Sequence, residues 1–257
     1  MVRTSVIGCG NMGSALVTGL SKSGTHTIVA CDLDPDALAA VADAADETTD
    51  DIARAAAADV VFVAVKPDVV EAVLSELDLS SDQTLVTIAA GVPTEFVEAR
   101  TDARVVRIMP NLAAETRDMA AAATGDLTDD VRELLADVGE YAEIEESQMD
   151  IATAVNGSGP AFVFYLIEAM AEAGVAGGLD HEEAQTLAAQ TFKGAAETVL
   201  QDDRSADELV DAVCSPNGTT IEGMEVLWDS DADSALTDAV AAAERRSEEL
   251  AEAFDDE

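Results

Sequence analysis

Val2-Arg3-Thr4-Ser5-Val6-Ile7-Gly8-Cys9-Gly10-Asn11-Met12-Gly13-Ser14-Ala15-Leu16 begins just inside the chain, and its reading decides the fold. Val2, Val6 and Ile7 belong to a strand-like run. Met12, Leu16 and Leu20 recur every four residues and so share one helix face. Between the two stands G-x-G-x-x-G, directly after the strand and at the opening of the helix, which is the context in which that spacing binds a dinucleotide. The first glycine permits the tight turn, the second lets a pyrophosphate approach the backbone, and the third lets helix and strand pack closely. The pyrophosphate then meets the free N–H groups and the positive dipole end of the helix. Gly8, Gly10, Asn11, Met12 and Gly13 are therefore the first candidate cofactor-binding residues.

Outward from this loop, short β-branched runs alternate with Ala-rich helical stretches, the pattern of a parallel sheet with helices on its faces. Strands are expected at 2–7, 27–31, 60–65, 84–89, 105–108 and 119–123, most of them continuous apolar runs of the kind buried on both faces. Asp34-Pro35 supplies an N-cap acceptor followed by proline at the first helical position. The second strand ends at Asp32, where a carboxylate accepts from the adenosine ribose hydroxyls and repels a 2′-phosphate. That favours NADH over NADPH unless a nearby arginine, Arg3 or Arg54, compensates. The alternative is that Asp32 or Asp34 only caps the following helix. Three more loops leave strand ends on the ligand-binding edge: Ala64-Val65-Lys66-Pro67, Ala89-Ala90-Gly91 and Met109-Pro110-Asn111. Val65, Lys66, Pro67, Ala90 and Gly91 join the cofactor set, with Pro67 and Gly91 also readable as plain turn residues.

After about Glu146 the strand signals stop. The expected division is a dinucleotide-binding domain over residues 1–146 and a helical substrate-binding and dimerisation domain over 147–257. Phe162, Leu166, Ile167 and Met170 form an apolar stripe, and Asp180 with Glu183 has capping-box spacing before a helix carrying Leu187, Phe192 and Val199. So Ala-rich a domain makes a thin core, which calls for burial against a second copy, as a homodimer or higher homo-oligomer; a monomeric helical cap is the competing reading. Two runs, Asn156 to Ala161 and Cys214 to Ile221, are each expected to break one helix and start another. The second places backbone N–H groups and three hydroxyls at a helix N-terminus with no acid among them. It reads either as a receptor for a small carboxylate or as an ordinary cap.

Composition sets the outer limits. Of 257 residues, 53 are Asp or Glu against 13 Lys or Arg, and the formal charge of −40 opposes nucleic-acid backbones and anionic lipid as partners. The acids are spread along the chain, lysine occurs only at Lys22, Lys66 and Lys193, and alanine replaces larger apolar residues. That suits an enzyme of very salty cytoplasm, where screening suppresses the repulsion. No stretch of about eighteen uncharged apolar residues is evident, and Met1 leads straight into a strand without a basic n-region, so a cytoplasmic protein without signal peptide or membrane anchor is expected. Cys9, Cys31 and Cys214 are odd in number and lack CxxC spacing, so neither a disulfide framework nor a metal site is expected. His26 and His181 sit in no motif.

The ordered set of Gly-x-Gly-x-Met-Gly, Val-Lys-Pro, Ala-Ala-Gly, Met-Pro-Asn, Gly-Ser-Gly-Pro-Ala and Ser-Pro-x-Gly-Thr-Thr resembles pyrroline-5-carboxylate reductase over essentially the whole length. The resemblance implies a Rossmann domain followed by an all-α dimerisation domain, and hydride transfer from NADH or NADPH to a cyclic imine carboxylate. It also implies that Thr220 faces the ring nitrogen as hydrogen-bond partner or proton relay, while Ser215, Gly218 and Thr219 hold the substrate carboxylate. Two departures stand out: Asn217-Gly218 where the family usually has Gly-Gly, and Phe162 where a tyrosine is common. Other small reductases of similar build, β-hydroxyacid dehydrogenases or F420-dependent NADP reductases, share the glycine loop, and so would a non-catalytic NAD(H) sensor. The hydroxyacid enzymes use a lysine on a helix of the second domain, and Lys193 between Phe192 and Gly194 does not recreate that motif, while a sensor would have no use for the Ser-Pro-Asn-Gly-Thr-Thr run.

Overall fold

The computed structural model describes residues 1–255. Its chain forms an eight-stranded sheet in the order β3-β2-β1-β4-β5-β6-β7-β8. The strands are β1 (Arg3–Ile7), β2 (Thr27–Cys31), β3 (Glu47–Thr49), β4 (Val60–Val63), β5 (Thr84–Thr87), β6 (Arg104–Met109), β7 (Met119–Gly125) and β8 (Gly139–Glu143). All neighbouring pairs are parallel except β6 with β7, so the order reverses between β1 and β4, the position where open α/β sheets leave a ligand crevice. This is the Rossmann-type arrangement expected.

The six expected strands are present, their ends departing from the apolar runs by no more than a residue or two. β4 stops at Val63 because the chain must leave the ladder to wrap the glycine loop at Ala64. Two further strands, β3 and β8, carry no apolar run. They are the sheet's edges, and short polar sequences there, Glu-Thr-Thr and Gly-Glu-Tyr-Ala-Glu, discourage pairing with another chain.

Helices α1 (Asn11–Ser21), α2 (Pro35–Val41), α3 (Ile52–Ala55), α4 (Pro67–Glu76), α5 (Thr94–Glu98) and α6 (Asp129–Val138) connect the strands. One face of the sheet packs Val6, Leu16, Leu20, Phe62 and Leu134; the other packs Ile7, Val61, Val63, Leu74 and Val97. Adjacent residues such as Val6 and Ile7 thus enter opposite cores, which is why β2 and β4 and the end of β1 read as continuous apolar runs. Asp34 caps α2 by accepting from the Asp36 N–H, with Pro35 at the first position, as the sequence predicts.

The remaining helices are α7 (Met149–Ala152), α8 (Gly159–Ala176), α9 (His181–Gln201), α10 (Ala206–Val213), α11 (Thr219–Trp228) and α12 (Ala232–Asp255). The chain divides into two compact units: Met1–Ser158 together with the chain from Ala241 onward, and Gly159–Val240. Asp180 and Glu183 form the expected reciprocal capping box on α9. Within the helical unit the buried apolar cluster is only Ala171, Ala184 and Ala188, with Ile167 half-buried beside it. Leu166 and Met170 of the apolar stripe are exposed, as are Phe164, Tyr165, Leu187, Val199 and Trp228.

The run from Asn156 ends one α-helix and starts another, but not through an open break: a π-helical turn, Thr153–Gly157, follows α7, the Ser158 N–H donates to the Thr153 carbonyl five residues back, and α8 begins at Gly159. Pro160 stands in the first turn of α8, where its missing N–H is tolerated. The continuous helical stretch Glu146–Ala176 is consequently long and apolar enough to cross a membrane by length and composition, a candidate that reading the run as two helices conceals.

Candidate functional site

At the end of β1 the backbone turns through Gly8, whose φ of +97° lies in the left-handed region; a Cβ there would stand 2.6 Å from the Ala64 carbonyl oxygen. Gly13 is fixed by close approach, since a Cβ would lie 1.8 Å from the Gly8 oxygen. A Cβ on Gly10, by contrast, would meet nothing within 4 Å. Gly10 is the N-cap of α1 and no side chain caps that helix, so the N–H groups of its first turn, at Asn11 and Met12, face open space. A pyrophosphate fits this cradle, with two glycines demanded by the protein's own atoms and the third left clear for a ligand.

Asp32 braces the same loop. Its Oδ2 accepts from the Cys9 N–H at 2.6 Å and its Oδ1 from the Asp34 N–H at 2.9 Å. Each oxygen retains a second acceptor position for a ribose hydroxyl. Arg3 and Arg54, the two cations near enough in sequence terms to greet a 2′-phosphate, are both ion-paired with Glu47. Burial first and the Asp32 charge second push the Cys9 thiol up to about 12, and burial with neighbouring carboxylates raises Cys31 to about 11. Both remain neutral thiols and neither can serve as a nucleophile at neutral pH.

The other cofactor candidates lie on the same strand-end edge. Val65 reaches the glycine loop, its Cγ1 lying 2.9 Å from where a Gly8 Cβ would be. Lys66 is exposed at the N-cap of α4, with Pro67 at the first position of that helix, and among the described residues Lys66 makes no ion pair. Ala90 packs against Met109, Ala122 and Met149. Gly91 has φ +76° and lies against the Leu250–Ala251 backbone of α12, so packing explains this glycine as fully as a ligand would.

Ser215, Gly218, Thr219 and Thr220 belong to the helical unit, where they come together at the start of α11. The Gly218 N–H donates to the Ser215 carbonyl at 2.9 Å, and Asn217 has φ +59°. Proline at the second position and a left-handed third residue define a type II turn, which glycine or asparagine accommodates, so the departure at Asn217 leaves the turn intact. Gly218 is favoured by close approach: a Cβ would stand 2.3 Å from the rotatable Ser215 hydroxyl and 2.9 Å from the Ser215 carbonyl oxygen. No side chain caps α11, leaving its first N–H groups free beside the hydroxyls of Ser215, Thr219 and Thr220. Thr220 also lines an apolar cavity of about 470 Å³ with Val199, Val210, Val213 and Met224.

Two features escaped the sequence reading. Arg107 on β6 is buried and ion-paired with Glu146, thirty-nine residues away, and no spacing signals it. Asn156 was visible only as part of a run, yet its side chain bonds to both β6 and β7.

Comparison with known proteins agrees with this geometry. Residues 146–250 match the pyrroline-5-carboxylate reductase dimerisation family, and residues 3–91 match the family of coenzyme F420-dependent NADP oxidoreductases. The pyrroline-5-carboxylate reductase of Methanosarcina acetivorans is 39% identical over 95% of this chain and 96% of its own. Among solved structures, that of the Coxiella burnetii reductase is 31% identical with a TM-score of 0.87, covering 97% of this chain and 98% of its own. The Plasmodium falciparum reductase with NADP bound is 27% identical with a TM-score of 0.83 and the same coverage. The second family match stops at residue 91 and so covers only the nucleotide-binding half, whereas the Ser215–Thr220 turn falls within the first. The chain belongs to the pyrroline-5-carboxylate reductase family.

Proposed function

We propose that two groups of residues organise catalysis in this chain: the strand-end loops at Gly8–Gly13, Val65–Pro67 and Ala90–Gly91 hold the cofactor, and the turn at Ser215–Thr220 holds the substrate. The reaction is the reduction of 1-pyrroline-5-carboxylate to proline, the last step of proline biosynthesis. When bound, the reduced nicotinamide supplies a hydride to the imine carbon, and the ring nitrogen must end with a proton. The protein's share is to place the two carbons in contact, neutralise the substrate carboxylate and manage that proton. The uncapped N-terminus of α11 is the observation that carries this reading, because its N–H groups and the hydroxyls of Ser215, Thr219 and Thr220 suit a carboxylate, the first acid being Glu222 at the fourth position of the helix. Ser215, Gly218 and Thr219 hold the carboxylate, and Thr220 positions or relays the proton, since a threonine hydroxyl is a poor acid by itself.

For the cofactor, NADH is favoured over NADPH. Asp32 stands at the ribose corner, and both nearby arginines are engaged by Glu47. Steady-state kinetics with each cofactor tests this, and a lower KM for NADPH refutes it. The exposed apolar face of the helical unit is covered by a second copy of the chain in a homodimer or larger homo-oligomer, which also accounts for the apolarity of Glu146–Ala176 without a membrane. The division of labour runs with residues 1–146 binding nucleotide and 147–257 binding substrate and partner. A cytoplasm of high salt suits the charge of −40.

Thr220→Ala is expected to lower kcat by roughly ten- to a thousandfold with an unchanged melting curve. Unchanged kcat/KM, followed by loss of reduced-nicotinamide absorbance with 1-pyrroline-5-carboxylate in molar salt, removes Thr220 from the mechanism.

A further inference from the structure

The Met109-Pro110-Asn111 loop and the Asn156 run are distant in sequence and have no role in the proposed reaction, yet the structure ties them together. The Asn156 side-chain amide donates to the Met109 carbonyl at 2.6 Å and to the Ala120 carbonyl at 3.1 Å, so one carboxamide joins the last residue of β6 to the second of β7. Asn111, itself 8% exposed, returns the contact: its Nδ2 donates to the Asn156 backbone carbonyl at 3.3 Å. Its Oδ1 accepts from the N–H groups of Ala113, at 3.1 Å, and Ala120, at 3.4 Å.

The π-helical turn belongs to this arrangement. One extra residue in a helical turn rotates the succeeding side chains by about 100° and weakens the backbone ladder, which is why such turns are retained chiefly where a side chain must be re-aimed. Here the turn Thr153–Gly157 contains Asn156. The amide is oriented by its two donor bonds, and its Oδ1 is left buried with no partner among the described residues. A buried acceptor left unmatched costs about 1–3 kcal/mol, so the chain sustains this orientation against a penalty.

What the clasp holds is the wall beside the cofactor loops. Met109 is buried, and its cluster with Ala122 and Met149 is the surface on which Ala90 packs. We propose that Asn156 is a positioning residue for hydride transfer: by fixing Met109 it fixes Ala90, and with it the Ala90–Gly91 loop assigned to the cofactor. This rests on the assignment of Ala90 to the proposed cofactor site. Hydride transfer is sensitive to placement, and a displacement of about 1 Å at a remote support can reduce rate about a hundredfold.

The test is kinetic. Asn156→Ala removes both donors, and Asn156→Ser keeps one hydroxyl donor on a shorter stem and remains informative should the alanine variant not fold. For each, kcat, both KM values and the deuterium isotope effect on kcat with C4-deuterated cofactor are measured in molar salt. The expected result is a kcat lower by about ten- to a hundredfold for alanine and less for serine, a substrate KM within about twofold, and an isotope effect larger than that of the parent protein. A merely structural role would lower the melting temperature without raising the isotope effect. Active parent protein with kcat and isotope effect unchanged in both variants, or with only the KM values raised, overturns the role of Asn156 and leaves the reaction standing. Parent protein inert toward 1-pyrroline-5-carboxylate takes away the reaction and this role together.

Discussion

Replacing either member of the Arg107–Glu146 pair is expected to have unequal effects, and the structure sets the inequality. Arg107 has a side chain only 5% exposed, in register between Thr87 of β5 and Thr124 of β7. One of its nitrogens meets Glu146, while Nε and Nη2 are buried with no partner among the described residues. Glu146 is 35% exposed and also accepts from the Thr94 N–H at 3.3 Å. Removing one partner of a fully buried pair costs about 3–5 kcal/mol, because an uncompensated charge stays inside. In Glu146→Met the charge left behind is the guanidinium, which cannot reach solvent; partial screening on the glutamate side reduces the expected loss to about 2–3 kcal/mol. In Arg107→Met the stranded glutamate can turn to water, and the expected loss is about 1 kcal/mol. For a unit of this size each kcal/mol moves the melting temperature by roughly 2–4 °C. Glu146→Met is thus expected to melt about 4–12 °C lower and Arg107→Met about 2–4 °C lower. The double variant should be less destabilised than the sum, since two apolar side chains leave no orphan charge. Thermal denaturation followed by circular dichroism at fixed molar salt measures all three. Equal losses from the two single variants, or strict additivity in the double, would refute the reasoning.

Gly10→Ala and Gly13→Ala should separate ligand from protein demands on the glycine loop. The first meets no protein atom and should leave the melting temperature unchanged while raising the Kd for NADH more than tenfold; the second, 1.8 Å from the Gly8 oxygen, should lower both stability and affinity, with overpacking worth about 1–3 kcal/mol. Fluorescence titration and melting curves decide, and a Gly10→Ala variant with parental affinity would deny the pyrophosphate its place. Asp137 is raised by burial, but hydrogen bonds from His26, Thr25 and Ser23 outweigh this and hold its carboxyl below the usual range. A depressed folded-state value contributes stability above the unfolded-state pKa of about 4 and loses it as pH falls through the folded value. Asp137→Asn should therefore lower stability by about 1 kcal/mol at pH 7 and by progressively less as pH falls below the unfolded-state value; an equal loss across that range would exclude the linkage. Dilution from about 1 M to about 0.1 M salt lengthens the screening distance from about 3 to about 10 Å, and should raise the KM for the anionic ligands and loosen the oligomer. Unaltered kinetics and oligomeric state after dilution would count against adaptation to high salt.

The fold was legible where burial writes itself into residue type. β2 and β4 lie between two cores and are almost wholly apolar, and β1, β5, β6 and β7 keep enough β-branched or small apolar residues to be read, so their existence was legible and only their ends were not. β3 and β8 meet solvent along one edge, and their polar residues carry no periodic signal. The π-helical turn was hidden for a different reason: Gly157, Gly159 and Pro160 signal the junction before α8, but only the i-to-i+5 bond at Ser158 shows that a widened turn fills it. At the site, motifs whose backbone demands are steric were plain, since Gly8 and Gly13 each face an atom that excludes a side chain and Gly218 faces atoms that crowd one. Asn156 and the Arg107–Glu146 pair act through contacts between residues some forty positions apart, and no local pattern encodes those.

The distribution of charge follows from the same division between local and global demands. A net charge of −40 places an unfavourable potential everywhere on the molecule, yet dinucleotide and cyclic imine carboxylate are both anions. Binding them requires that short-range attraction exceed this potential at two places only. On the proposed reading both are helix N-termini without a side-chain cap, α1 at Gly10 and α11 at Gly218, whose first N–H groups have no side-chain partner. Three other helices are capped by acids, at Asp34, Asp51 and Asp180, and two by hydroxyls, at Thr128 and Ser205, while α4, α5 and α7 also begin without a side-chain cap. An acid at Gly10 or Gly218 would satisfy the same donors and stabilise the helix, but it would also occupy the site with the protein's own anion. The single carboxylate retained beside the cofactor loop, Asp32, has both oxygens turned to backbone N–H groups, which spreads its charge into the loop it braces. On the proposed reading the uncapped starts of α1 and α11 leave their donors to a bound anion, and the acidity of the rest of the chain addresses the solvent.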